Sequence, residues 1–187
     1  VDIKILSEDE KSVFGLTLLA EDTEGYHHLS QLISTAYLEA KRENGIPLIP
    51  QAWLKKPLLS GVIVLSDAEN GEIAQAIKKD NFSQAKDIAL RYQSLCGKDG
   101  FFIELQRIGR PGENEYIAKA CELASELNIP VVATNNVRFL NQEDYEVHEI
   151  RVGIYEGYTL LGESRKSKYT EQQYLRSESE MCALFSD

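Results

Sequence analysis

Apolar and polar positions fall into alternating blocks along the chain, separated by short connectors. Gly15-Leu16-Thr17-Leu18-Leu19-Ala20 is a compact apolar run that suits a buried strand. Over residues 24–42, Leu29, Leu32, Ile33, Ala36 and Tyr37 recur at helical spacing. Residues 44–57 hold Gly45, Pro47, Pro50 and Pro57 and are expected to be largely irregular. Gly61-Val62-Ile63-Val64-Leu65 is the clearest strand, a β-branched run closed by Ser66-Asp67. Helices follow at 72–79 and 82–95, and Asp80-Asn81 between them can cap the second. Phe101-Phe102-Ile103-Glu104-Leu105-Gln106 is again a strand, and the turn at 109–114 leads into a helix at 115–127. Pro130 lacks the N–H that a central strand position needs, so the next strand starts after it, at Val131-Val132-Ala133-Thr134. Helices at 143–155 and 177–185 complete the pattern.

The predicted order is β-α-β-αα-β-α-β-α. Apolar strands alternating with helices indicate an α/β protein with parallel strands, since each parallel connection needs a crossover. A barrel and an open sheet are equally compatible with this order. Four strands are too few to close a barrel, which suggests part of a larger fold.

Composition narrows the function. The chain has 187 residues, 43% of them hydrophobic, and 30 acidic against 20 basic side chains give a net charge of −10. That charge offers no pull on phosphates and excludes a free-standing nucleic-acid grip. No stretch reaches the roughly 20 apolar residues of a membrane helix. Val1-Asp2-Ile3-Lys4 does not read as a signal peptide. Cys96, Cys121 and Cys182 are odd in number and widely spaced, so a disulfide framework is not expected and a cytoplasmic location is.

In parallel α/β folds, chemistry sits in the loops after the carboxyl ends of the strands. This selects Ser66, Asp67 and Glu69 after the second strand, Glu104, Gln106 and Arg107 at the third, and Asn135, Asn136 and Arg138 after the fourth. Glu104 is the most unusual, a carboxylate among Phe101, Phe102, Ile103 and Leu105. Such a group needs a cation, hydrogen-bond donors or solvent. Pairing with Arg107 or Arg138 is favoured over a role as metal ligand or acid/base group. His27 and His28 are adjacent and face different sides of a helix, so they form no metal clip. His148 reads as a core or interface histidine. The Gly109–Gly112 turn lacks the lysine and spacing of a phosphate loop and reads as a helix entry. Arg165, Lys166 and Lys168 read as a solvated loop.

The same blocks carry a family likeness. Leu16-Thr17-Leu18-Leu19-Ala20 with Glu24-Gly25-Tyr26, Gly61-Val62-Ile63-Val64-Leu65-Ser66 with Gly71-Glu72-Ile73, and Phe102-Ile103-Glu104-Leu105 resemble the alpha subunits of bacterial replicative polymerases of the DNA polymerase III type. Pro130-Val131-Val132-Ala133-Thr134-Asn135, Glu146-Val147-His148-Glu149-Ile150-Arg151 and Tyr174-Leu175-Arg176-Ser177 with Glu180-Met181 add to it, in order along nearly the whole chain. The resemblance is to the enteric-type proteobacterial version, and within it to the PHP domain, the polymerase and histidinol phosphatase domain.

That resemblance implies part of a distorted (β/α)7 barrel, with the family's first strands and their His-x-His motif absent from this chain. Residues 1–170 would be the later two-thirds of the PHP domain, and 171–187 the start of the connection to the polymerase region. Glu104 matches a glutamate ligand of metal-binding members. Two further ligand positions are Asn136 and Arg138 here, an amide for a carboxylate and a guanidinium for an imidazole, and Gly15 stands where many members have His. A permanent cation repels a metal. The resemblance therefore implies a degenerate site with no metal, cofactor or catalytic residue in this chain, and Arg138 pairing with Glu104 in the metal's place. The parent would be a DNA-directed DNA polymerase, using Mg²⁺ in its other regions. Implied partners are the proofreading 3′–5′ exonuclease subunit, other replicase subunits, and DNA held elsewhere in the parent, with no membrane. Dimerisation through an open sheet edge is a further expectation. The alternative is a metal-dependent phosphoesterase or proofreading nuclease using Glu104.

Overall fold

A computed structural model describes residues 1–97, 99–157 and 167–186. Arg165 and Lys166 of the expected basic loop lie outside the described residues. The chain divides into two compact units, Val1–Leu105 with Glu115–Val132, and Gln106–Asn114 with Ala133–Asp187.

The strands are β1 (Asp2–Leu6), β2 (Val13–Ala20), β3 (Lys41–Glu43), β4 (Ile46–Pro50), β5 (Val62–Leu65), β6 (Phe101–Gln106) and β7 (Val131–Thr134). They form a seven-stranded sheet in the order β3-β4-β1-β2-β5-β6-β7. The helices are α1 (Thr23–Glu39), α2 (Glu72–Lys78), α3 (Phe82–Cys96), α4 (Glu113–Leu127), α5 (Tyr145–Glu156) and α6 (Glu178–Leu184). The α/β class read from the sequence is correct, and the helices fall near where their periodicity places them. The exception is the first, which stops at Glu39; the end of its expected span, Lys41 and Arg42, pairs with Leu48 and Pro47 as β3 instead.

The strand directions differ from the uniform parallel expectation. β1 and β2 form an antiparallel hairpin, with Lys4 opposite Gly15 and Ile5 opposite Phe14. β2 is also antiparallel to β5, while β4 is parallel to β1 and β5 to β6. So β1, β4, β5 and β6 run one way and β2 the other. The cause is β1, which the hydrophobic pattern did not reveal, since it sends β2 back against its neighbours. Residues 44–57 also differ from expectation. Ile46–Pro50 is a strand, paired with β1 on one side and with the three-residue β3 on the other, and a 3₁₀ turn follows at Gln51–Trp53.

In the first unit, β1 and β2 alternate. Ile3, Ile5, Phe14, Leu16 and Leu18 are buried, whereas Asp2, Lys4 and Thr17 are not. Each large apolar side chain buried this way contributes about 1.5–3 kcal/mol. Tyr92 on α3 stacks on Phe101 at the start of β6, with ring centroids 5.3 Å apart. Asp22 caps α1 by accepting from the Gly25 N–H at 2.8 Å, and Asn81 caps α3 through the Gln84 N–H at 3.1 Å, as its position predicts.

In the second unit, α5 buries His148 and Gly153 and leaves Val147, Ile150, Ile154 and Tyr155 exposed. Ser177 and Glu180 form a capping box at the start of α6. No helix among the described residues is long and apolar enough to cross a membrane.

Candidate functional site

The first unit builds a row of polar positions across four neighbouring strands. Cross-strand partners share a face of a sheet, as do residues two apart on one strand. Lys4 on β1 is opposite Gly15 on β2. Thr17 pairs with Leu65, and Leu65 with Phe102. Carried two residues further, this register brings Asp67 level with Gly15 on one side and Glu104 on the other. The row therefore reads Lys4, Gly15, Asp67, Glu104.

Asp67 departs from the strand conformation as β5 ends. Its φ is +56°, in the left-handed region, and Ala68 follows at +38°. The Asp67 carboxylate lies over the bare face of Gly15. A Cβ built there would overlap Asp67 Oδ2 and stand 2.6 Å from Cγ. Burial pushes the Asp67 carboxyl up to about 6, Lys4 pulls it back down, and Glu104 pushes it further up.

Glu104 is 4% exposed and Ser66 3%. The Ser66 hydroxyl accepts from the Glu104 N–H at 2.9 Å, and Ser66 N–H donates to the Phe102 carbonyl at 3.2 Å. Tyr116 on α4 donates its hydroxyl to the Glu104 carbonyl at 3.2 Å, and burial holds that phenol far above its usual value. Backbone hydrogen bonds thus fix Glu104 from two elements. Glu69 sits in a 3₁₀ turn, Ala68–Asn70, and pairs with Lys78 at 3.1 Å.

The other candidates belong to the second unit. Gln106 donates its side-chain N–H to Thr134 Oγ1 at 3.0 Å. Arg107 donates to the Leu184 carbonyl and lies over the Phe185 ring. The Asn135 amide donates to the carbonyls of Gln172 at 3.1 Å and Tyr174 at 2.6 Å. Gln173, fully buried, donates to the Asn136 carbonyl at 3.0 Å, and its own carbonyl accepts the Arg138 N–H at 2.8 Å. Arg138 is exposed, with its guanidinium 5.5 Å from the centre of the Tyr169 ring. The segment after β7 is therefore stitched by backbone and amides to residues 172–174.

The Gly109–Gly112 turn is a helix entry, as expected. The Glu113 carboxylate accepts the N–H groups of Ile108 at 3.1 Å and Gly109 at 2.9 Å, the donors a phosphate would need. His28 Nδ1 lies 2.9 Å from the Ser60 carbonyl. His148 lies between Phe139 (5.5 Å) and Tyr169 (4.8 Å), and its buried Nε2 has no hydrogen-bond partner among the described residues. All three cysteines are free.

Sequence reasoning named Glu104, Ser66, Asp67 and Gly15 but missed Lys4 and Gln173. Lys4 could have been found from the alternation in Asp2-Ile3-Lys4-Ile5; nothing in the sequence marks Gln173.

A metal ion does not fit the row. One position has no side chain, its space is taken by an internal carboxylate, and a lysine stands beside it. Among the described residues, no group of three or more His, Cys, Asp or Glu side chains is placed to hold a metal. The arrangement sets one cation and two carboxylates near one another on neighbouring strands, with the Asp67 carboxylate over Gly15.

Comparison with known proteins agrees with this architecture. The PHP domain profile matches residues 1–108. The chain is 44% identical to the DNA polymerase III subunit alpha of Haemophilus influenzae over 189 residues, covering all of this chain and 16% of the relative. It is 45% identical to the subunit alpha of Vibrio cholerae and 42% to that of Escherichia coli K12, each over 92% of this chain and 15% of the relative. The chain thus spans about one sixth of the length of the curated relatives it matches. With the matched residues carrying β1 to β6 of the sheet and the row from Lys4 to Glu104, the chain belongs to the PHP domain family.

Proposed function

We propose that this chain is the PHP region of a bacterial replicative DNA polymerase alpha subunit and that it works there as a non-catalytic scaffold. The observation that carries the reading is the Asp67 carboxylate seated over Gly15, at a position where many family members have a His. Glu104, the carboxylate best placed for chemistry, is buried, has its backbone held by Ser66 and Tyr116, and lies near enough to Asp67 to raise the Asp67 carboxyl.

On this reading the parent joins deoxynucleotides to a primer end. The primer 3′-hydroxyl attacks the α-phosphorus and pyrophosphate leaves, with Mg²⁺ supplied by other regions of the parent. The net charge of −10 agrees with DNA being held elsewhere. The PHP region stabilises the polymerase and offers a surface to the proofreading 3′–5′ exonuclease subunit in the cytoplasm. Residues 171–187 begin the connection toward the polymerase region. Asn136 and Arg138 fit this reading, since an amide and an exposed guanidinium replace groups that a metal site would use.

The test is co-purification of the full-length parent with its exonuclease subunit, compared with a parent lacking residues 1–170, alongside primer extension. The reading expects exonuclease binding to be lost on deletion while folded polymerase retains measurable extension. Undiminished exonuclease binding by the deleted, folded protein would refute the docking role. The alternative, a phosphoesterase using Glu104, has the burial of that carboxylate in its favour, but Lys4 and the seated Asp67 stand against it.

A further inference from the structure

We infer that Asp67 is a strap residue, an internal side chain that occupies the space over Gly15 and locks the loop at 66–71 onto β2. The inference stands on geometry within the first unit and does not depend on a role in replication.

Three observations carry it. The first is occupancy. The Asp67 carboxylate fills the volume a side chain at position 15 would take, so the two positions are mutually exclusive.

The second is backbone conformation. Asp67 and Ala68 are consecutive non-glycine residues at positive φ, 56° and 38°. Such conformations are costly and persist only where the surroundings over-determine them. Glycine at 67 would relieve the cost but would lose the carboxylate.

The third is how the loop closes and what it holds. The Asn70 N–H donates to the Asp67 carbonyl at 2.9 Å, and Gly71 bridges to Gly15. A Cβ at Gly71 would overlap the Ser66 carbonyl, so the loop shuts without room to spare. Gly71 is also the N-cap of α2, whose Gln75 side chain donates to the Val13 carbonyl at 3.0 Å. Glu72 on the same helix binds Arg91 and Tyr92 of α3. Seating Asp67 on Gly15 thus sets α2, and through it α3, against β2.

A double-mutant cycle on the full chain tests this at a single pH. The variants are Gly15→Ala, Asp67→Gly and the two combined, read by peptide-resolved hydrogen exchange over residues 66–71 and by thermal unfolding. Gly15→Ala alone should raise exchange of the loop at least about tenfold, the size of coupling that touching residues show. In the Asp67→Gly background the same change should alter it less than about twofold, because the clashing group is gone. Should Gly15→Ala alone fail to fold, recovery of folded protein on adding Asp67→Gly supports the strap, and its absence overturns it. Equal effects of Gly15→Ala in both backgrounds also overturn it, as does Asp67→Gly leaving loop protection unchanged.

Discussion

Asp67 and Gly15 compete for one volume: the carboxylate of the first lies where the side chain of the second would be. This contact has a pH signature. Burial raises the Asp67 carboxyl from 3.8 to about 6, so the folded chain binds this proton more tightly than the unfolded chain. The contribution favours the fold below about pH 4 and is lost as pH rises through about 6. The difference has an upper bound of about 3 kcal/mol. Asp67→Asn should flatten that segment of the stability curve, as measured by urea unfolding at pH 4, 5, 6 and 7.5. An unchanged slope would show that Asp67 does not titrate in this range.

His148 gives the opposite sign. Burial lowers its imidazole below the usual value, with Arg151 and Arg138 adding to the effect and Glu149 opposing it. The folded state therefore binds this proton less tightly, and the second unit should lose stability as pH falls below about 6.5. Protection factors across α5, corrected for the pH dependence of intrinsic exchange, should fall on acidification in the native chain and not in His148→Phe.

Glu72 joins α2 to α3 through Arg91 and the Tyr92 hydroxyl. Its side chain is 18% exposed, so its loss takes an acceptor from the Arg91 guanidinium and from the hydroxyl of the buried Tyr92. Glu72→Ala should cost about 1–3 kcal/mol in chemical denaturation. A cost below about 0.5 kcal/mol would place the pair among ordinary surface ion pairs.

Arg138 offers a sharp contrast between two environments. An exposed guanidinium over Tyr169 is worth about 0.5–1 kcal/mol, whereas removing one member of a buried ion pair with Glu104 would cost about 3–5 kcal/mol. Arg138→Ala should therefore lower stability by about 1 kcal/mol or less. A loss of several kcal/mol would support the pairing with Glu104 that the resemblance implies.

The helices and the strands β2, β5, β6 and β7 were legible because each carries its own local signal: a 3.6-residue period, a β-branched run, or a proline at the border. The pairing was not. Asp2-Ile3-Lys4-Ile5-Leu6 alternates, but so short a run gains strand character only from β2 and β4 on either side. Pro47 and Pro50 masked β4, which pairs with β1 through Leu48, Ile49 and Pro50. Once β1 was missed, the reversal of β2 followed, because direction is a property of partners rather than of sequence. The site shows the same division. Glu104 stood out as a lone carboxylate in an apolar strand, yet the row from Lys4 to Glu104 exists only in the register of four strands. Gly15 was conspicuous as a missing side chain; that Asp67 fills the gap needed the fold.

The proposed scaffold role requires that this PHP region does no metal-dependent hydrolysis. Its most direct test is turnover of p-nitrophenyl phosphate and of single-stranded DNA ends by the full-length protein, supplied with Mn²⁺ or Zn²⁺, in native and Glu104→Gln forms. The account predicts no hydrolysis above background in either form and no stoichiometric metal retained after gel filtration. Retained metal with hydrolysis that disappears in Glu104→Gln would contradict it.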